Sequence, residues 1–111
     1  MVKQSSTKRK RPEYSLQEIQ QCIRDGDCHL TGSATMDAKE IFGILSTEGI
    51  LEEVLAVKES DFQYSMPSLY NPDLWQDVYR KYVRCIDAYI KLQIDKSKGA
   101  VVISLHKWGK H

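Results

Sequence analysis

At Ser60 the apolar pattern of this 111-residue chain changes period, and that change limits the fold more than any other feature. Before it, apolar residues recur every three or four positions, the spacing of a helix face. After it they alternate, or run in short β-branched and aromatic stretches, the spacing of strands. Helices first and strands afterwards predict an α+β fold, with N-terminal helices packed on a C-terminal antiparallel sheet.

Three helices are expected. Ser15-Leu16-Gln17-Glu18 reads as a capping box, followed by an apolar stripe of Leu16, Ile19 and Ile23 and a stop at Gly26. After a short extended piece around His29 to Thr31, Ala34, Ala38, Ile41, Phe42 and Leu45 mark a helix over 33–45. Ile50, Leu51, Val54, Leu55 and Val57 mark a third over about 47–58.

Four strands follow, over 62–69, 74–82, 86–95 and 100–107, broken by Tyr70-Asn71-Pro72-Asp73, a tight turn at 83–85 and Lys96-Ser97-Lys98-Gly99. Connections this short imply a four-stranded meander. Alternation turns Ile86, Ala88, Ile90, Leu92 and Ile94 toward the helices, with Trp75 and Tyr79 from one neighbouring strand and Val101, Ile103 and Leu105 from the other. The opposite, open face gathers Gln76, Arg80, Tyr89, Lys91, Ser104 and His106.

A formal charge of +1 conceals a strong asymmetry. Residues 1–11 hold five Lys or Arg and no acid, residues 12–79 three basic residues against thirteen acids, and residues 80–111 eight against two. Fields act locally, so the two basic ends point to an anionic partner. Residues 1–13, polar and without apolar period, are expected to be a flexible tail ahead of a single domain over 14–111. No apolar run nears the roughly 20 residues of a membrane span, and the N-terminus lacks the apolar core of a secretory signal. A cytoplasmic protein is expected, with no membrane partner. Cys22, Cys28 and Cys85 show no Cys-x-x-Cys pair and are expected to be reduced thiols, not a zinc site.

A glycine-rich phosphate loop, a His-x-x-x-His pair and a Ser or Cys nucleophile motif are all missing from the sequence. The open face offers a different chemistry. His106 brings an imidazole to this face, the side chain whose unperturbed pKa of about 6.5 suits proton transfer near neutrality. Tyr89 can donate a hydrogen bond or a proton, and Tyr89 and Tyr82 can stack on unpaired bases. Arg80 and Lys91, with Lys81, Arg84 and Lys107 nearby, can meet phosphate charge, and Gln76 can orient a base or sugar. Such a set can cleave RNA by 2′-hydroxyl attack without a metal or other cofactor.

The segments Ser60-Asp61-Phe62-Gln63-Tyr64-Ser65-Met66, Trp75-Gln76-Asp77-Val78-Tyr79-Arg80, Tyr89-Ile90-Lys91-Leu92 and Val101-Val102-Ile103-Ser104-Leu105 resemble the MqsR toxins of bacterial toxin–antitoxin modules. Trp-Gln-Asp-Val-Tyr is the most specific part, and weaker similarity extends over about the whole chain. The resemblance implies a RelE-like fold, metal-independent cleavage of single-stranded mRNA at short GC-containing triplets, and neutralisation by a cognate MqsA-like antitoxin, with the ribosome as a further partner to consider. It also implies that Gln76 and Tyr89 are active-site residues. Tyr64 and His106 stand where the family has Lys. Lys107, one residue beyond His106, is predicted to point to the opposite face unless a bulge turns it back. His106 can take the general acid or base role, whereas Tyr64 removes a fixed positive charge available to phosphate. The alternatives are a catalytically weakened module that binds RNA or antitoxin through the same face, and a regulator recruited through the basic tail.

Overall fold

The computed structural model describes residues 8–109. Its helices are α1 (Leu16–Arg24), α2 (Gly32–Phe42) and α3 (Thr47–Leu55), followed by a 3₁₀ turn at Glu59–Asp61. Its strands are β1 (Cys28–Leu30), β2 (Phe62–Pro67), β3 (Trp75–Val83), β4 (Ile86–Asp95) and β5 (Gly99–Lys107). The expected α+β order holds. The sheet has five strands rather than four, in the order β1-β5-β4-β3-β2. β2 to β5 form the antiparallel meander, and the short piece after α1 joins as β1, parallel to β5.

Each helix begins at a hydroxyl that accepts from the amide three residues on: Ser15 from Glu18, Thr31 from Ala34 and Ser46 from Gly49. Gly43 ends α2 in the left-handed conformation, φ 69°. Leu45, expected on the apolar stripe of that helix, therefore lies beyond it and is 81% exposed. Buried Gln20 of α1 donates to the carbonyls of Val54, Leu55 and Val57, satisfying the end of α3. Leu16, Ile19 and Ile23, Ala34, Ala38 and Phe42, and Ile50 and Val54 form one cluster with Tyr79, Val83, Ala88, Ile90, Leu92, Ala100, Val102 and Leu105 of the sheet. Cys22, Cys28 and Cys85 are free thiols. Among the described residues, no helix is long and apolar enough to cross a membrane.

The facing of β5 departs from simple alternation. Lys91 pairs with Ser104 but Leu92 pairs with Val102, so Ile103 is an extra residue on β5. The bulge turns Ala100 and Val102 to the core and Val101 to the other face, correcting the expected Val101 and Ile103. The Ile103 carbonyl accepts from the Thr31 hydroxyl, tying the start of α2 to the bulge.

The expected flexible tail over residues 1–13 is corrected in its second part; residues 1–7 lie outside the described residues. Arg9 and Ser65 exchange backbone hydrogen bonds at 2.8 and 2.9 Å along the outer edge of β2. The Arg9 guanidinium sits 3.4 Å from the ring centroid of Trp75 and pairs with Glu13. The amides of Glu13 and Tyr14 both donate to the buried carboxylate of Asp77, each at 2.9 Å, and the Tyr14 hydroxyl donates to the Trp75 carbonyl. These contacts make residues 8–14 a strap across the sheet edge.

Candidate active site

On the sheet face away from the helices, strand register sets side chains in cross-strand rows. Tyr64, Val78, Lys91 and Ser104 form one row, and Arg80, Tyr89 and His106 the next. The Tyr89 and His106 rings stack with centroids 4.5 Å apart and 8° between planes. Around this pair lies a cleft of about 330 Å³ lined by Lys8, Tyr64, Met66, Leu69, Tyr89, Lys91 and His106. Among the described residues, no carboxylate lines it. A larger groove of about 440 Å³ between α2 and α3, lined by Met36, Ile44, Leu45 and Ile50 among others, gathers no comparable set.

The protonation states of the cleft follow from burial. Tyr89 is 2% exposed, its hydroxyl is 3.9 Å from Met66 Sδ, and burial followed by the neighbouring Tyr64 hydroxyl raises its pKa well above the ordinary tyrosine value. It is therefore a neutral phenol with a proton to donate. Burial lowers the pKa of Lys91, whose ammonium is 5.6 Å from the Tyr89 ring centroid. His106 Nδ1 lies 3.0 Å from the carbonyl oxygen of Lys107. A carbonyl only accepts, so Nδ1 carries the proton in this contact and the lone pair of the neutral ring is on Nε2.

Of the expected site residues, Tyr64, Tyr89, Lys91 and His106 come together in the cleft. Gln76 shares their face but lies on the row beyond Lys91, 7% exposed, with its amide donating to Gln93. Arg80 is one residue outward from the cleft lining. Its guanidinium is held by Asp87 (Nη2–Oδ2 2.7 Å, Nε–Oδ1 3.0 Å) and lies 4.5 Å from the Trp108 ring centroid. That pairing holds the Asp87 carboxyl below its usual range. Lys107 pairs with Ala88, so it projects to the helix side, and the β5 bulge, which lies earlier in the strand, does not turn it back. Lys81 pairs with Glu53, and Arg84 caps α2 through the Phe42 and Gly43 carbonyls.

Lys8, Leu69 and Trp108 belong to the site from outside the strands and carry no alternation signal, whereas Met66 follows Tyr64 by two residues on β2 and shares its face. Trp108 tilts against Tyr89 at 5.7 Å, so an aromatic run continues from His106 through Tyr89 to Trp108 and ends under Arg80. Its position one residue past the strand was the available clue.

A family model described as motility quorum-sensing regulator, toxin of MqsA, matches residues 11–107. The mRNA interferase toxin MqsR of Escherichia coli (strain K12) is 29% identical over 83 residues, which cover 75% of this chain and 83% of the relative.

Proposed function

The chain belongs to the MqsR toxin family, and from that premise we propose that it is an endoribonuclease that cuts single-stranded messenger RNA. The observation that carries this reading is the stacked Tyr89–His106 pair beside Lys91, in a cleft that no acid lines among the described residues. RNA cleavage needs a base for the 2′-hydroxyl, charge stabilisation at phosphorus and an acid for the leaving oxygen. In the proposed reaction His106 Nε2 takes the 2′-hydroxyl proton as the 2′-oxygen bonds to phosphorus. The bond from phosphorus to the 5′-oxygen breaks, and that oxygen takes the phenol proton of Tyr89. The imidazolium of His106 returns a proton to Tyr89 through solvent. The products are a 2′,3′-cyclic phosphate and a 5′-hydroxyl, with no metal or other co-reactant required.

In this reading Lys91 offsets the growing charge on the phosphoryl oxygens. Arg80, Trp108 and exposed Tyr82 take up flanking nucleotides, since stacking on aromatic rings and guanidinium planes is how unpaired bases are gripped. Gln76, locked to Gln93, keeps the sheet face in register and does not touch substrate. The partner that silences the enzyme is an MqsA-like antitoxin, as the family description suggests.

The test is incubation of folded protein with single-stranded RNA in excess EDTA. Cleavage to 2′,3′-cyclic phosphate ends is expected, and His106→Ala should slow it by on the order of 10²-fold or more. Intact RNA would refute the reading. A second reading, a module that binds without cutting, is favoured by one observation: Tyr64 and His106 replace the lysines the resemblance implies. It predicts RNA binding with no cyclic-phosphate product.

A further inference from the structure

We propose that the N-terminal strap is part of the substrate site, with Lys8 a phosphate-binding residue and Asp77 the positioning residue that latches the strap in place. This rests on the nuclease reading above and extends it to a segment outside the sheet that carries the rest of the cleft. The Lys8 ammonium lies 4.2 Å from the Tyr64 ring centroid and lines the cleft with Lys91. Two ammonium groups on one cleft, with no carboxylate among the described residues that line it, form a site for a polyanion.

The strap is held too firmly to be an incidental neighbour. One residue after Lys8, Arg9 is fixed to β2 by two backbone hydrogen bonds and to Trp75 by its guanidinium. Four residues further, Asp77 accepts the amides of Glu13 and Tyr14. Asp77 sits on the helix side of β3 and is fully buried, out of reach of the cleft; besides the two strap amides it meets the Ser65 hydroxyl of β2, the residue that bridges Arg9. A buried carboxylate that accepts two backbone amides fixes where residues 8–12 run, and hence where Lys8 arrives.

The experiment measures steady-state cleavage of a single-stranded RNA, and binding of the same sequence as a 2′-O-methyl oligonucleotide across a salt series. Lys8→Ala should raise KM and the oligonucleotide Kd about tenfold, leave kcat within about twofold, and flatten the salt dependence by about 0.7 in log Kd per log salt, the contribution of one phosphate contact to a single strand. Lys8→Arg should restore most of the affinity. Lys10→Ala, an exposed cation on the same strap, should change neither. Asp77→Asn should raise KM, and adding Lys8→Ala to it should cost little more, because both remove one contact. Equal losses for Lys8→Ala and Lys10→Ala, or an unchanged KM and salt slope in Lys8→Ala, would overturn the inference while leaving the nuclease reading intact. A wild-type protein that neither binds nor cuts RNA would overturn both.

Discussion

Tyr89 and His106 face each other across β4 and β5, so their stacking is a consequence of register, and both residues were legible from alternation alone. Lys91 is the residue at which function and stability oppose each other. Burial lowers its pKa below the 10.5 of a free lysine, so the folded chain disfavours the charged form. That penalty is full at pH values below the folded pKa, shrinks between the two values and vanishes above 10.5. The contact with the Tyr89 ring, at 5.6 Å, is near the outer limit for a cation–π interaction and offsets little of it. Lys91→Met should therefore melt above the wild type at neutral pH, with the gap closing as pH approaches 10.5, and should lose at least about tenfold in cleavage if the ammonium meets phosphate charge. Melting curves from pH 7 to 10.5 check the first part and initial rates the second. A lower melting temperature at pH 7 would show that the ammonium is stabilised by its surroundings.

The element scale shows where alternation stops being sufficient. Gly99 opens β5 at φ 72°, and a Cβ there would come 2.2 Å from the Asp27 carbonyl oxygen, the same oxygen that accepts from the Ala100 amide. Only glycine lets the chain before β1 lie this close to β5. Gly99→Ala should cost at least about 1–2 kcal/mol from the left-handed backbone alone, with steric overlap adding to it, and lower Tm by roughly 4–8 °C per kcal/mol. Faster amide exchange in Cys28 to Leu30 should mark the loosened edge, and an unchanged melting temperature would contradict the account. Helix starts were legible because Ser15 and its successors carry side-chain caps within the local sequence. The end of α2 also carried a local signal, since Gly43 is the same kind of stop as Gly26. The bulge at Ile103 and the parallel pairing of β1 were not legible, since each is settled by contacts between distant segments: Thr31 on the Ile103 carbonyl, Asp27 on Ala100. The bulge alone reassigned Val101, Val102 and Ile103. It left His106 untouched because it lies earlier in β5.

Across the whole molecule, the two basic ends of the sequence meet at one place. Lys8 comes from the first basic segment, and Lys91 and His106 from the last, while the acid-rich residues between them build mainly the helical side. A net charge of +1 thus conceals a cleft that gathers Lys8, Lys91 and His106 from both basic ends, while Lys81, Arg84 and Lys107 lie on the helix side. Unrestrained expression of the intact chain should arrest bacterial growth, and His106→Ala should relieve the arrest at equal protein level, as judged by growth curves beside quantified expression. Undiminished growth under the wild-type chain would favour the binding-only reading. The convergence on one face was legible in the sequence, whereas the finer split was not: two cross-strand rows, four residues along β4, separate Gln76 from Tyr89, and an ion pair with Asp87 draws Arg80 aside.

The backbone bridge between Arg9 and Ser65 bears on how such a chain survives in a crowded cell. A sheet rim with unsatisfied amides invites strands from other molecules, and the six-residue β2 would otherwise present one. Here the protein's own leading segment occupies that rim, and the opposite rim is closed by a strand of only three residues. Neither margin offers a long template for recruitment, so molecules released from their inhibitor should stay separate from one another instead of seeding fibrous deposits.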